Sequence, residues 1–402
     1  MNNKKIKSSI GYLPLIIAAL IGSNAHANSH SFDSRSHAMG GVGVSSADYL
    51  TAPFHNPALV ARFDESDDVG ILFPSIGAHA NDPTDIIDNV EYFSDIYDDF
   101  KYINNPSLDD AQVVIDQLEL IQGNYAHVQV GTQVAVAIPN KVLSINFFAQ
   151  AYADALVFAD IADEDLDPAN IVDQELNSQA ITMGVIVSEF GVSLAKSHKL
   201  ATGEIYYGIS PKYQQVNTIN YITDIENFEF DDWDDDRYQN DQGNMNLDIG
   251  FAYQHNAGYG VGFVAKNLIK NTYETEVISG IKGQYQIKPV YTISANYHNR
   301  FMTAVIDIQL NESEGYDELN GSYNQFDTEY DNQQLAAIGF EFTPWSWTKL
   351  RAGYQTDLTN NNDDRVTAGL GLSAAGVFHF DLSASYGDDK DMGVALQTSF
   401  TF

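Results

Sequence analysis

The sequence of 402 residues lacks cysteine, has few basic residues, and lacks any long apolar run. Without cysteine, disulfide frameworks, thiolate metal sites and thiol redox chemistry are excluded. Lysine and arginine together number 20 against 55 aspartates and glutamates, which gives a net charge of −35. Because such an acidic chain repels phosphate backbones, we expect no nucleic-acid partner. No segment reaches the ~20 consecutive apolar residues that a membrane-spanning helix needs.

The first 27 residues have the pattern of an export signal. Three lysines precede an apolar stretch at 10–21, and Ala25 and Ala27 supply the small residues that a signal peptidase reads. The sequence therefore predicts a signal peptide over 1–27, with cleavage before Asn28. The alternative is an N-terminal membrane anchor, for which the apolar stretch is short.

Beyond residue 67 the apolar residues recur at every second position, as in Ala126, Val128 and Val130, which alternate with polar or small residues. This period indicates strands with one apolar face. Most of the segments have ten or more residues, close to the ~9–11 that cross a bilayer at a tilt. The segments lie at 68–80, 125–138, 142–153, 180–196, 201–217, 244–256, 259–268, 284–298, 301–311, 333–344, 348–357, 365–375, 376–387 and 391–402.

The connections between these segments alternate between tight turns and mostly long loops, and the long loops hold most of the acidic residues. An exported chain without apolar helices spans a membrane only if its strands close into a ring. We therefore predict an all-β fold, an antiparallel transmembrane β-barrel of about 14 strands over 68–402. It would lie in the outer-membrane lipid bilayer of a Gram-negative bacterium. The alternative is a secreted soluble β-sandwich.

The first long connection, 81–123, has the pattern of two helices. Asp82-Pro83 is a good helix start, and Ser107 with Asp110 forms a second one. Apolar residues follow at helical spacing, and we expect them to offer an apolar ligand its first surface outside the barrel. These residues are Phe93, Tyr97, Phe100, Val114 and Leu118.

Three short stretches carry motifs of a known superfamily. They read Ala38-Met39-Gly40-Gly41-Val42-Gly43-Val44, Phe54-His55-Asn56-Pro57-Ala58-Leu59, and Gly262-Phe263-Val264-Ala265-Lys266-Asn267-Leu268 before Lys288-Pro289. The first two resemble the AMGGAG-type stretch and the NPA element of the long-chain fatty-acid transporter (FadL-like) superfamily. Within it, the chain looks most like the conjugal-transfer TraF-like outer-membrane proteins. The thioredoxin-like periplasmic protein that shares the TraF label does not fit a chain without cysteine.

The resemblance implies a plug folded inside a fourteen-stranded barrel that takes up small apolar solutes. We place this plug at 28–67; the alternative is a plain periplasmic extension. Its motif comprises Gly40, Gly41, Gly43, Asn56, Pro57 and Ala58.

The C-terminal strand resembles the signal by which barrel-assembly machinery recognises outer-membrane barrels. Its alternating apolar residues close on a terminal aromatic residue. The residues that carry this signal are Leu396, Phe400 and Phe402.

One strand shows a change of apolar phase. Near Ser188 and Glu189 the apolar residues move from odd to even positions, as a β-bulge would require. In the transporters that the chain resembles, a strand kink opens a lateral path from lumen to bilayer, so we predict a gate here. The alternative is ordinary barrel curvature.

The acidic run 231–236 is a candidate for divalent-cation binding, although it lacks EF-hand spacing, and a solvated loop is the alternative. No GxSxG, HExxH or P-loop motif is present, so we expect neither an enzyme nor a cofactor. The predicted function is uptake of fatty-acid-like apolar solutes. The alternatives are a structural or surface-interaction barrel, for envelope assembly, cell contact or conjugation, and an outer-membrane hydrolase.

Overall fold

The structure is a computed structural model that describes residues 32–82, 84–172, 176–229, 232–313, 315–320, 332–361, 363–388 and 390–402. The predicted signal peptide and the first four residues of the predicted plug lie outside this set.

None of the helices among the described residues combines the length and the apolar character that crossing a membrane requires.

Fourteen antiparallel strands close into one barrel, in which β1 pairs with β17 and three further strands form a separate small sheet. The barrel strands are β1 Gly70–Asn81, β2 Tyr125–Ile138, β3 Ser144–Asp160, β4 Gln179–Lys199, β5 Gly203–Asp224, β6 Gln239–His255, β7 Tyr259–Lys266, β10 Val290–His298, β11 Met302–Gln309, β13 Leu335–Trp345, β14 Thr348–Asp357, β15 Arg365–Ala374, β16 Phe378–Gly387 and β17 Met392–Thr401. The small sheet comprises β8 Asn271–Glu274, β9 Lys282–Ile287 and β12 Tyr316–Asn320. We name the two ends of the barrel by their connections, the short-turn end and the long-loop end.

Alternation along each barrel strand separates an apolar outer face from a packed lumen. In β2, Val134 and Val136 are 36% and 42% exposed on the outer face, whereas the alternating residues Gln133 and Ala135 are buried on the lumen face. Closure of the ring pairs every strand edge, which is the condition for burying strands in hydrocarbon. The predicted transmembrane barrel is confirmed.

Three strands, β3, β5 and β6, extend five to seven residues beyond their predicted ends at the long-loop end, and the longest of them, β5, has 22 residues. Both faces of this extension are covered by protein. On the lumen face, Val187 of β4 packs with Tyr273 of β8 and Tyr285 of β9. The predicted strand 284–298 is therefore wrong in its first part, because 284–287 pairs in the small sheet and only β10 enters the barrel.

The outer face of the extension is covered by a helical hairpin, α3 Ile86–Lys101 and α4 Leu108–Ile121. The two helices pack their apolar stripes on each other and on Ala126 and Val157, which point to the outside of the barrel. Ser107 and Asp110 form the capping box that starts α4. The predicted helical first loop is confirmed.

The predicted bulge in β4 is wrong. Ser188 and Glu189 keep a continuous register with β3 on one side and β5 on the other. The apolar phase changes because the half of β4 near the long-loop end is buried on both faces and is therefore apolar on both. Glu189 itself points into the lumen and pairs with Lys212. The register shift lies in β1, where both neighbouring ladders break between Leu72 and Ser75 or Ile76.

Candidate functional site

The first described segment, residues 32–62, fills the short-turn half of the lumen. It contains α1 Ser34–His37, α2 Ala52–His55 and a 3₁₀ turn at Pro57–Ala61, and most of its side chains are buried. Gly40 and Gly41 turn the chain with φ of 78° and 92°, a region that L side chains rarely adopt. The segment thus forms a plug inside the barrel.

Two polar side chains, Asp307 and Asn56, hold the plug motif to the wall and to itself. The Asp307 carboxylate of β11 accepts hydrogen bonds from the Gly43 and Val44 amides at 2.8 and 2.9 Å. Asn56 Nδ2 donates to Val44 O at 2.7 Å and to Phe251 O of β6 at 3.1 Å. Asn56 Oδ1 accepts from Ala58 N at 3.0 Å, which caps the 3₁₀ turn. These bonds explain why the motif needs these residue types.

Arg62 binds one loop of the plug. Its guanidinium donates to the carbonyls of Ser45, Ser46 and Ala47 at 2.7–2.8 Å. Burial lowers the pKa of Arg62 to about 10, which still leaves it charged at neutral pH. The charge is therefore available to hold three carbonyls of one loop together.

The wall opposite the plug is built with glycine. A Cβ on any of five lumen-facing glycines would collide with plug atoms, in most cases backbone. Glycine inside a strand marks a close approach by another backbone, so these positions are visible in the sequence as glycines within strands. These glycines and their plug neighbours are Gly208 at Pro57, Gly250 at Asn56, Gly262 at Val44, and Gly339 and Gly353 at Met39.

Two groups of charged side chains in the lumen form ion pairs. Lys212 lies 3.1 Å from Glu189 and 3.0 Å from Asp248, and all three are at most 2% exposed. A second group joins Arg351 to Glu341 at 2.8 Å, with Arg35 of the plug at 3.1 Å from the same carboxylate.

A chamber of about 110 Å³ lies between the plug and the long-loop end of the barrel strands. Its lining is mixed, with apolar and polar side chains in similar number. The apolar part includes Phe32, Val44, Phe54, Val264 and Leu335. The polar part includes His37, His79, Gln129, Lys266, Thr367 and Arg365.

One wall of the chamber is thin. Gly77 of β1 and Gly131 of β2 are direct register partners, so neither contributes a side chain. The Phe32 ring covers both glycines. Just below, the ladder break of β1 exposes Phe73 and Pro74 on the outer face. Ser75 Oγ donates to Phe32 O at 2.6 Å and so joins the plug to the break.

The predicted apolar ligand surface is wrong, because its residues are buried. Phe93, Tyr97, Phe100, Val114 and Leu118 are at most 3% exposed. Phe93, Tyr97 and Phe100 stack on one another inside the hairpin. Each helix is amphipathic and would expose its apolar stripe if it were alone. When the two helices pair, both apolar stripes become buried.

The other predicted sites lie on the outside of the barrel and in a loop. Leu396 and Phe402 are 41% and 56% exposed on the last strand, and their recognition by assembly machinery stays a prediction.

Of the acidic run, residues 232–236 are described. In the described part of the chain, no three His, Asp or Glu side chains are grouped to hold a metal ion. Cation binding by the loop stays a prediction.

Comparison with known proteins gives a family and a fold. A family model described as "F plasmid transfer operon, TraF, protein" matches residues 53–308. No curated protein matches the chain in sequence. Among solved structures, the Ralstonia pickettii toluene transporter TbuX is similar with a TM-score of 0.53 and 10% identity, over 93% of this chain and 99% of that one.

Two further solved structures are similar in the same way. The Pseudomonas putida toluene transporter TodX gives a TM-score of 0.51 at 11% identity, over 94% of this chain and 99% of that one. A Pseudomonas aeruginosa FadL homologue gives 0.52 at 10% identity over the same shares. At such identities the likeness concerns the fold.

Proposed function

The chain belongs to the family described as "F plasmid transfer operon, TraF, protein", and we propose that it is an outer-membrane channel for small hydrophobic solutes. The observation that carries this proposal is the chamber between the plug and the long-loop end, which is lined in part by apolar side chains of the plug and of the barrel wall. A channel for apolar solutes needs such a space, partly lined by apolar side chains and shielded from water.

The outer location follows from the exposed apolar faces of the strands. These faces meet hydrocarbon, whereas the short turns and the acidic, folded loops meet water on either side. By the arrangement of such barrels, the long-loop end faces outwards and the short-turn end faces the periplasm. The similar solved structures include toluene transporters, which supports apolar solutes as the cargo.

We place the exit at the thin wall rather than through the plug. Phe32 is the plug residue that covers the Gly77–Gly131 pair, and the broken ladder of β1 begins just below it. A swing of this ring would connect the chamber with the bilayer at Phe73 and Pro74. The hydrogen bond from Ser75 to Phe32 O holds the closed position.

Uptake of a neutral apolar dye into liposomes that contain the purified full chain tests the proposal. We expect saturable uptake above that of protein-free liposomes. Phe32→Ala should raise the rate severalfold, because the ring no longer covers the glycine pair. The matched control is Phe340→Ala, which removes an exposed aromatic ring from the outer face of β13, away from the break, and should leave the rate unchanged. Uptake equal to that of protein-free liposomes would contradict the proposal.

A second candidate function is a surface-interaction barrel without transport. The folded elements at the long-loop end favour it, because the helical hairpin and the small sheet each pack on one face of the strand extension there. Deletion of the hairpin separates the two candidates. Under the first, solute uptake in liposomes persists after the deletion; under the second, no uptake occurs with or without the hairpin, and the deletion abolishes partner binding.

A further inference from the structure

A row of polar side chains crosses one side of the chamber. Direct register partners run from Thr367 of β15 through Ser385 of β16 and Gly393 of β17 to His79 of β1 and Gln129 of β2. Because partners in register point to the same side of a sheet, the whole row faces the lumen. All of these residues except the glycine line the chamber. One side of the chamber is therefore polar.

Two hydrogen-bond acceptors of this row have no partner among the described residues. His79 Nε2 donates to Asp391 Oδ1 at 2.5 Å, and Asp391 also accepts from Arg365 Nε at 2.9 Å. Because the arginine already balances the carboxylate, the His79 ring is neutral and its Nδ1 is an acceptor. Gln129 Nε2 donates to Asp154 Oδ2 at 2.8 Å, which fixes Gln129 Oε1 as the second acceptor. Both acceptor atoms are buried.

Hydrogen-bond donors face the same space. Arg365 lies two residues from Thr367 on the same face of β15, and its terminal nitrogens make no hydrogen bond to another described residue. Thr367 Oγ1 is also buried without a described partner, and a hydroxyl both donates and accepts. Buried polar atoms in proteins are nearly always hydrogen-bonded, so a further group completes this set. We name the set the polar corner: His79, Gln129, Arg365 and Thr367.

The mixture of donors and acceptors decides which chemical group completes the polar corner. A carboxylate only accepts hydrogen bonds, so it would leave His79 Nδ1 and Gln129 Oε1 unpaired. An ammonium only donates, and the charge of Arg365 repels it. A hydroxyl group does both, so it donates to one of the two acceptors while its oxygen accepts from Arg365. The polar corner therefore fits an uncharged hydroxyl group.

We propose that the polar corner is a subsite for the hydroxyl group of a small uncharged aromatic solute, a phenol. His79 and Gln129 lie two residues along their strands from the Gly77–Gly131 pair, which the aromatic ring of Phe32 covers. A solute ring that displaces the Phe32 ring brings its hydroxyl group beside His79 and Gln129. The proposal rests on the proposed function, because it names the solute class that the same chamber takes.

Binding of three aromatic probes to the purified full chain in nanodiscs tests this subsite. The probes are toluene, p-cresol, which is toluene with one added hydroxyl group, and benzoate. Each is measured by sealed equilibrium dialysis against protein-free nanodiscs. We expect p-cresol to bind about tenfold more tightly than toluene once each is corrected for its partition into lipid, because hydrogen bonds are gained in a site shielded from water. Benzoate should bind no more tightly than toluene.

Two variants locate the effect, and each has a matched control. Gln129→Met removes one acceptor and Thr367→Val removes the unpartnered hydroxyl, so each should reduce the preference for p-cresol over toluene severalfold. The controls are Gln133→Met and Thr348→Val. Gln133 Oε1 and Thr348 Oγ1 are also buried without a described partner, but neither residue is among those that line the chamber. Heat-modifiable mobility in electrophoresis shows that each variant is folded.

The outcomes separate the subsite from the proposed function. A preference for p-cresol that only the Gln129 and Thr367 variants reduce supports the subsite. Equal binding of p-cresol and toluene means that water alone completes the polar corner, which overturns the subsite but leaves the proposed function standing. A preference that the control variants reduce equally, or tighter binding of benzoate than of p-cresol, also overturns the subsite. Binding of none of the three probes overturns both the subsite and the proposed function.

Discussion

At the scale of single residues, the closest fit in the molecule is between wall glycines and the plug backbone. Gly353 is an example, because a Cβ there would meet the backbone of Met39 and Gly40. Gly353→Val should displace the plug and raise ion conductance in planar bilayers severalfold, with overpacking worth about 1–3 kcal/mol. The matched control is Ala352→Val, next in sequence but on the lipid face. Equal conductance in both variants would mean that the plug does not depend on this fit.

His37 gives a pH dependence whose sign follows from its burial. Its pKa in the seated plug is about 4, against 6.5 for an exposed histidine. A released plug therefore binds a proton first, so the stability of seating is complete above pH 6.5 and declines as pH falls towards 4. The effect amounts to roughly 3 kcal/mol at most.

Conductance measured between pH 7 and pH 4 checks this effect. The wild-type channel should open progressively over that range, whereas His37→Gln, which keeps polar contacts without a titrating group, should show a flatter profile. Identical profiles would assign the pH response to groups other than His37.

At the residue scale, the sequence predicts the plug motif but not its partners. The motif glycines and Asn56 are adjacent in sequence and carry a recognisable turn pattern. Their partners, such as Asp307 and Gly353, lie about 250 to 300 residues further along the chain. Only strand order and register place them opposite the plug, and a single sequence gives neither for side chains inside a lumen.

At the scale of elements, the helical hairpin is a separate packing unit on the outer wall. Phe93 is fully buried in it, so Phe93→Ala should destabilise the hairpin by about 3–5 kcal/mol. We expect proteases to cut within 84–121 while the barrel keeps its heat-modifiable mobility. The adjacent Tyr92 is 57% exposed, and Tyr92→Ala should change little, within about 0.5 kcal/mol. Unfolding of the barrel in Phe93→Ala would show that the hairpin is not separate.

Strand periodicity predicts an element well where one of its faces meets lipid and poorly where both faces are buried. β2 and β14 match their predicted bounds, because each has one exposed apolar face along much of its length. The half of β4 near the long-loop end is apolar on both faces, so its sequence pattern looks like the phase shift that a bulge produces. The true break in β1 contains Pro74, a residue without an amide donor that strands place at edges or bulges. Proline was therefore the better signal for the break.

At the scale of the whole molecule, the barrel does not need the plug for its own closure. The ladders from β1 to β17 form a complete ring, and the wall pairs Lys212–Glu189 and Arg351–Glu341 join neighbouring strands rather than opposite walls. A ring of fourteen strands lies between the filled barrels of eight strands and the water-filled porins of 16–18 strands. An empty lumen of this size therefore admits water.

Deletion of residues 32–62 should give a folded barrel with a permanent, water-filled pore. We expect heat-modifiable mobility to persist and conductance to exceed that of Gly353→Val, because the plug is removed rather than displaced. The carboxylate of Asp307 would lose its two plug amides, yet water in the open lumen would replace them. Loss of heat-modifiable mobility in the deletion variant would instead mean that the strands close around the plug, and that plug and ring form one cooperative unit.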